Sequence, residues 1–245
     1  MNICLFDKNE RDENGKIVFL KNDERANHIL NVLKKNVGDT FLAGIVNEMA
    51  GIATIEKIDD GKIEFSFEPK TDGKPLAPID FLVGFPRPIQ LRRLLRDVAG
   101  LGARKIVLCG TELGEKSYLD SNVVKDGSAQ KMLFDGTVQA GSTHVPELVV
   151  CKNIFDAFSI LNADIKIALD NKRAQMSLGK KLRENADKKS ICLAIGSERG
   201  WTENERDIFL KNGWSLCSMG SRVLRTETAV TVSGAIVLDA LGFLD

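Results

Sequence analysis

The sequence has few of the residues that metal sites and nucleophilic hydrolases require. Its 245 residues contain two histidines, His28 and His144, and no Cys/His spacing typical of a zinc site. Neither histidine lies near a nucleophile-elbow pattern, which argues against a Ser-His-Asp or Cys-His catalytic group. We therefore expect no bound metal and no triad-type hydrolysis.

Other absences bear on partners and location. Basic and acidic side chains are equal in number, at 34 each, so no global field predicts a polyanionic partner and any nucleic-acid contact must be local. No run approaches ~18 apolar residues, and the start MNICLFDKNE lacks the charge and long apolar stretch of a signal peptide. Five cysteines without a C-x-x-C pair indicate buried, reduced thiols. We expect a soluble cytoplasmic protein without a membrane partner.

The apolar pattern changes near residues 70–78. Before this segment, a short helix predicted within residues 25–39 is followed by three alternating stretches and Gly- or Asp-containing turns, which is typical of a small β-barrel. The segment itself, KTDGKPLAP, is rich in Pro, Gly and polar residues and marks a boundary. From Ile79 onward, strands alternate with helices, which predicts an α/β domain with a parallel sheet. We expect two domains, residues 1–74 and 75–245.

Two glycine turns follow predicted strands in the second domain. In AIGSERGWTENE, Gly196 and Gly200 permit close approach of the backbone, and TENE is a capping box that begins a helix. In SMGSRVLRTETA, Gly220 ends a strand and a helix follows. Because parallel strands end at one sheet edge, where ligands of open α/β folds bind, the two turns predict a shared crevice. We expect it to be faced by Arg222, Arg225 and Glu227. For the first turn, a tight connection without a ligand is the alternative interpretation.

Two nucleotide-binding motifs are disfavoured. GLGARK contains a G-x-G, but it follows a predicted helix and precedes a strand, which is the reverse of the order in a dinucleotide fingerprint. The sequence has no G-K-[ST] phosphate loop. A kinase, an NTPase and a Rossmann dehydrogenase are therefore disfavoured.

Three segments carry a resemblance to a known family. IGSERGWTENE and SMGSRVLRTETA resemble the glycine-rich turn and the L-G-x-R-I-L-R-T-E-T-A signature of RsmE-type 16S ribosomal RNA uridine-N3 methyltransferases, of the SPOUT or trefoil-knot class. NHILNVLKKNVGD is similar to the helix and Gly-Asp turn of that family.

The resemblance implies a fold and a set of binding partners. The fold is a SPOUT-type knotted domain with a mostly parallel sheet, preceded by a small PUA-like β-barrel that binds RNA. The cofactor is S-adenosyl-L-methionine, the partner is ribosomal RNA or the small ribosomal subunit, and the protein is a homodimer. The implied cofactor-binding residues are Leu169, Ile195, Gly196, Glu198, Gly200, Met219, Gly220, Val223, Leu224 and Thr226.

The sequence departs from the family pattern in three segments, one of which is the K-A-T-E-L-G helix end, which reads DVAGLG at residues 97–102. Four departures in the other two segments bear on activity. Ser197 and Arg199 replace Pro and Gly in the Gly-Pro-Glu-Gly-Gly turn, whereas Val138 and Ser142 replace an acid and an arginine in E-Q-S-G-R. Three functions therefore stay open. They are uridine-N3 methylation of ribosomal RNA, methylation of another RNA site by a knotted enzyme, and RNA or ribosome binding without methyl transfer.

The chemistry of the implied reaction assigns roles to charged residues. Methylation of uracil N3 requires removal of its proton or stabilisation of the developing oxyanion. We predict that Arg225 stabilises charge on the base oxygen, while Glu227 or Glu198 orients the arginine or relays the proton. A structural ion pair between Arg225 and Glu227 is the alternative. RNA phosphates would contact two stretches of the sequence that are rich in basic residues. The alternative is that each stretch is a solvent-exposed face without a partner. The predicted RNA-binding residues are Arg87, Arg92, Arg93, Arg96, Lys172 and Arg173.

Overall fold

The computed structural model describes residues 2–244, which form two compact units. The first unit comprises the chain up to Pro75 together with Thr137–Val145, and the second comprises Leu76–Gly136 and the chain from Pro146 onward. The sequence pattern places residues 137–145 in the second domain, so that part of the expected division differs from the structure.

The first unit is built on a five-stranded sheet. Its strands are β1 (Cys4–Phe6), β2 (Lys16–Phe19), β3 (Thr40–Ile45), β4 (Ala50–Asp59) and β5 (Lys62–Thr71). They lie in the order β1-β3-β4-β5-β2, with β1 parallel to β3 and the other pairs antiparallel. Helix α1 (Glu24–Asn27) continues into a π-helical turn, His28–Val32. The first two strands escaped prediction because three or four residues are too few to show alternation.

Phenylalanine rings fill the interior of the first unit. Phe65 is fully buried, and its ring centroid lies 6.1, 4.9 and 5.2 Å from those of Phe6, Phe19 and Phe41 in edge-on packing. Alternation along β5 places Phe67 on the same face, where it contacts Phe6 at 5.1 Å. Edge-on aromatic pairs add to the stabilisation by apolar burial. The alternating pattern of the sequence therefore places the core of this unit.

Hydroxyl groups attach residues 137–145 to the first unit. The Oγ atom of Ser142 donates to the carbonyl oxygens of Gly73 and Lys74, both at 3.1 Å. The backbone amide of Thr143 donates to the carbonyl of Gly73 at 3.0 Å. Both side chains are buried. Such side-chain to backbone bonds leave no periodic signal in a sequence, which explains why the sequence pattern does not place this segment with the first unit.

The second unit is built on a seven-stranded sheet. Its strands are β6 (Ala77–Gly84), β7 (Ala103–Cys109), β8 (Glu147–Cys151), β9 (Ile165–Leu169), β10 (Met176–Ser177), β11 (Ile191–Ile195) and β12 (Ser215–Ser218). Every neighbouring pair is parallel, in the order β10-β12-β9-β11-β6-β7-β8. The predicted α/β class with a parallel sheet is confirmed.

Within residues 2–244, six α-helices lie between these strands in the chain, and a seventh follows β12. They are α2 (Pro88–Gly100), α3 (Asn122–Lys125), α4 (Ser128–Ala140), α5 (Ile154–Phe158), α6 (Leu178–Arg183), α7 (Glu203–Lys211) and α8 (Thr226–Ala240). On α2, the buried residues Leu91, Leu94, Leu95 and Val98 recur at helical spacing, so one face of the helix is apolar. On α8 the buried face carries Thr226, Val230, Ser233, Gly234, Val237 and Leu238.

The turn after β11 lies very close to the end of β6. A Cβ atom on Gly84 would lie 2.5 Å from the amide nitrogen of Ser197, so only glycine allows this approach. All five cysteines are buried and unpaired, as predicted. Within residues 2–244, no helix combines the length and apolar character needed to cross a membrane.

Candidate active site

A cavity of about 480 Å³ opens at the edge of the parallel sheet where β9, β11 and β12 end. The glycine turn after β11 forms one side, and the segment between β12 and α8 forms another. The lining residues are Arg87, Gln90, Leu169, Asp170, Asn171, Ile195, Gly196, Ser197, Glu198, Gly200, Met219, Arg222, Val223, Leu224, Arg225, Thr226, Glu227 and Ala229.

The structure brings most of the predicted site residues together here. Every residue implied for cofactor binding lines the cavity except Gly220, and both predicted catalytic residues line it. Gly220 has φ of 102°, a left-handed conformation that favours glycine, and it shapes the turn beside Met219. Of the predicted RNA-binding residues, only Arg87 lines the cavity.

Two hydrogen bonds hold the strand ends together. The hydroxyl of Thr226, at the start of α8, donates to the carbonyl oxygen of Gly196 at 3.2 Å, and the bond is buried. The indole nitrogen of Trp201 donates to the carbonyl oxygen of Leu169, the last residue of β9, at 3.1 Å. Since buried polar groups must be paired, these bonds favour one arrangement of the three segments. These two bonds therefore hold the turn after β11 to the end of β9 and to the start of α8, and the three segments form one wall of the cavity.

The two helices that begin at this edge differ at their N-termini. In α7, the amide of Glu205 donates to Thr202 Oγ1 at 3.0 Å, and the amide of Thr202 donates to Glu205 Oε2 at 2.9 Å, which is the predicted capping box. In α8, the N-cap residue Arg225 makes no side-chain capping bond. The start of α7 is therefore capped by its own side chains, whereas α8 begins without a side-chain cap, which leaves its first-turn amides for a guest.

Arg225 is exposed, and within residues 2–244 its guanidinium forms no ion pair. The alternative of a structural pair with Glu227, which is half-buried in the first turn of α8, is therefore not realised in the described chain. The third candidate acid, Glu198, accepts a hydrogen bond from the backbone amide of Arg87 at 3.0 Å. That contact joins the turn after β11 to the start of α2.

Sequence reasoning missed Asp170, which follows β9 directly and lines the cavity. Its Oδ1 atom accepts from Nε of Arg206 at 2.8 Å, and both side chains are only 3% exposed. Its Oδ2 atom accepts from the backbone amide of Lys172 at 3.0 Å. Gly196 was identified because it lies in a turn directly after a buried strand, and the same position at the end of a strand could have identified Asp170.

Gln90 was also missed. It lies in the first turns of α2 and lines the cavity, and its Oε1 atom is buried without a hydrogen-bond partner among the described residues. A buried acceptor left unpaired is costly, so this atom calls for a donor from a bound molecule. No sequence signal distinguishes such a glutamine from a solvated one on an amphipathic helix.

The four departures from the family pattern at Val138, Ser142, Ser197 and Arg199 fall in different places. Ser197 is buried, and its hydroxyl accepts from Thr111 Oγ1 at 3.1 Å, so it fastens the glycine turn to the segment after β7. Arg199 is exposed. Val138 and Ser142 belong to the first unit, where the Ser142 hydroxyl binds backbone. Neither of the last two residues lines the cavity.

The predicted RNA-binding residues other than Arg87 lie outside the cavity. Arg173 forms ion pairs with Glu203 and Asp207 at 3.1 and 2.8 Å, so its charge is already balanced. Arg96 lies 3.6 Å from a carboxylate oxygen on α4. The other three are exposed: Arg92, Arg93 and Lys172. Within the described chain, no group of three or more His, Cys, Asp or Glu side chains is placed to hold a metal ion.

Comparison with known proteins identifies the family. Residues 72–238 match the model of the RNA methyltransferase domain. The chain is 42% identical to ribosomal RNA small subunit methyltransferase E of Treponema pallidum, over 97% of this chain and 91% of that protein. The chain belongs to the ribosomal RNA small subunit methyltransferase E family. A further relative, methyltransferase E 1 of Borreliella burgdorferi, is 32% identical over 97% of each chain.

The fold agrees with this assignment. A crystal structure of methyltransferase E from Neisseria gonorrhoeae, bound to S-adenosyl methionine, superposes with a TM-score of 0.79 over 98% of this chain and 97% of that one, at 21% identity. The matched segment, residues 72–238, contains every residue that lines the cavity. The methyltransferase E family resemblance carried by SMGSRVLRTETA is therefore confirmed.

Proposed function

We propose that this methyltransferase E family member transfers a methyl group from S-adenosylmethionine to N3 of a uridine in 16S ribosomal RNA, in the cytoplasm. The observation that carries the proposal is the cavity between two glycine turns, in which Arg225 and the uncapped start of α8 face the same space. The trefoil knot, and a PUA-like RNA-binding barrel formed by residues 1–74, belong to the same proposal because the family resemblance implies them.

The residues of the cavity fit S-adenosylmethionine. Its volume of about 480 Å³ falls within the range of small-molecule sites. Gly196 and Gly200 allow the backbone to approach a flat ring, and Gln90 Oε1 is a buried acceptor for an amino group. When bound, the cofactor supplies a methyl group activated on a sulfonium. The protein residues would bind and orient both reactants, so no metal is required.

The charged residues of the wall suit the uracil. An arginine presents paired donors in a fixed fork, and Arg225 has no ion pair in the described chain that would compete for them. It would stabilise negative charge on a uracil oxygen, assisted by the amides at the start of α8. Glu227, on the first turn of the same helix, would orient Arg225 or hold the N3 proton.

Mapping of modified nucleotides tests the reaction. Ribosomal RNA from a strain lacking this protein should lose one methylated uridine in the small subunit, and the purified protein with S-adenosylmethionine should restore it. Mass mapping of nuclease fragments measures both results. Loss of methylation at another base or atom would favour the knotted enzyme with a different RNA target. Unchanged methylation would contradict both.

Gly200→Val should weaken S-adenosylmethionine binding roughly 10-fold or more. The added side chain would occupy space that the bound cofactor needs, and such overpacking costs about 1–3 kcal/mol. Gly213→Val is the matched control. Both glycines have positive φ, 70° and 78°, and a Cβ atom at either meets nothing within 4 Å, but Gly213 does not line the cavity. Calorimetry gives the affinities, and thermal melting should fall similarly in both variants. Equal affinities for the two variants would place the cofactor elsewhere.

Arg225→Ala should lower the single-turnover rate of methyl transfer by roughly 10²- to 10³-fold, the usual loss for one charge-stabilising donor. Cofactor affinity and melting temperature should stay near those of the parent, because the side chain is exposed and unpaired. Arg225→Lys should recover only part of the rate, since a lysine lacks the fork. A rate within about threefold of the parent, at saturating cofactor and RNA, removes Arg225 from the catalytic residues.

A homodimer is also part of the proposal, because the resemblance implies a site completed across a two-fold interface. Helix α8 supports this with an apolar side chain on its outer face, Val232, which is 39% exposed. Val232→Glu should convert a dimer to a monomer in sedimentation equilibrium. Leu210→Glu on α7, where Leu210 is 37% exposed, is the control and should leave the dimer intact. A parent protein that is monomeric at micromolar concentration would contradict the dimer.

A further inference from the structure

A second cavity, of about 450 Å³, lies at the same edge of the parallel sheet where β7 and β8 end. Its walls come from the segment after β7, the turn between β8 and α5, and the side of α7. Its exposed aromatic and basic side chains take no part in the site described above. The question is which kind of molecule these side chains would bind.

The acids of this cavity are already bound within the protein. Glu112 accepts from the Thr202 hydroxyl at 2.6 Å through one carboxylate oxygen and from the Asn204 amide at 2.5 Å through the other. These hydrogen bonds lower the pKa of Glu112, and the bond from Thr202 has the largest effect. Glu205 serves the capping box of α7 and accepts the Glu112 amide at 2.9 Å. Asp120 pairs with a lysine of α3 at 2.9 Å.

The basic and aromatic residues of the cavity are available. Lys116 and Lys152 are exposed, and neither forms an ion pair within residues 2–244. Phe155 is 59% exposed, which is unusual for so large an apolar side chain. Ammonium groups bind phosphate, and aromatic rings provide a surface on which an unpaired base stacks. Together these residues suit one nucleotide of a single-stranded segment.

A direct hydrogen bond joins a residue of the first cavity to a residue of the second. Thr111 lines the second cavity, and its hydroxyl donates to the hydroxyl of Ser197, which lines the first, at 3.1 Å. A residue that lines one cavity is therefore in direct contact with a residue that lines the other. A chain of nucleotides with its target base in the first cavity would have a neighbouring nucleotide within reach of the second.

We propose that the second cavity binds a nucleotide that flanks the methylated one, with Phe155 stacked on its base and Lys116 and Lys152 paired with its phosphate. The identity of the occupant as RNA rests on the proposed function. A nucleotide bound in the second cavity would place the RNA strand over the Thr111–Ser197 pair, and it would thereby hold the target base in the first cavity. The cavity thus contributes to RNA affinity and to the choice of site, whereas it contributes nothing to cofactor binding.

Binding of a protein-free fragment of small-subunit ribosomal RNA, measured by fluorescence anisotropy, tests this directly. Phe155→Ala should raise the Kd about 5- to 100-fold, the usual effect of losing one stacked base, and Phe155→Trp should retain tight binding. Lys152→Ala should weaken binding and reduce the slope of log Kd against log salt by roughly one, whereas Phe155→Ala should leave that slope unchanged. S-adenosylmethionine affinity should be the same in all variants.

Two substitutions outside the cavity serve as controls. Phe243→Ala removes another half-exposed phenylalanine, at 50% exposure, and Lys211→Ala removes a lysine at the far end of α7. Neither should change RNA affinity more than about twofold. If Phe155→Ala and Lys152→Ala behave like these controls, the cavity does not bind RNA. If Phe155→Ala weakens binding to intact small subunits but not to protein-free RNA, the occupant is a ribosomal protein and the proposal is wrong.

The outcome is separable from that of the proposed function. A parent protein that binds RNA but transfers no methyl group contradicts the reaction, while the comparison of variants still tests the cavity. A parent that transfers methyl groups and whose KM for RNA is unchanged by Phe155→Ala contradicts the cavity alone. A parent that binds no RNA contradicts both.

Discussion

The parallel direction of the strands in the second unit is the constraint on which the two cavities described above depend. Because the strands of this sheet all point the same way, their carboxyl ends share one edge and every connecting segment leaves from there. Gly84 lets the turn after β11 approach the end of β6, and the Thr226 hydroxyl holds that turn to the start of α8. One cavity forms above β9, β11 and β12, and the other forms above β7 and β8.

The distribution of hydrogen bonds explains how a chain with no net charge could bind RNA. The total charge is zero, so attraction must come from charges that the protein leaves unpaired. Glu112 and Asp170 are bound by neighbouring side chains and backbone, whereas Arg225 and Lys152 form no ion pair within the described residues. Arg173 shows the reverse case. The sequence suggested that it binds RNA, but its positive charge is balanced by two acidic side chains of the protein. The partners of a basic residue therefore matter more than its position in a basic run.

The parts of the site that depend on local sequence were predictable. The family resemblance supplied the individual lining residues from Leu169 to Thr226, whereas the glycine turns and the capping box of α7 follow from strand ends and helix starts, which a short stretch of sequence specifies. Asp170 obeys the same rule and could have been included. Gln90 could not, because its unpaired oxygen is a property of what packs around it and not of its neighbours in the chain.

By itself, the sequence determined the α/β class of the second unit, the family and the two turns that line the first cavity, because periodicity, glycine positions and a family signature are written in consecutive residues. Tertiary structure alone decided that residues 137–145 join the first unit. It also decided which charges stay unpaired and that Thr111 meets Ser197 between two cavities. These features depend on hydrogen bonds and ion pairs between groups far apart in the chain, and such contacts form only after folding has brought those groups together.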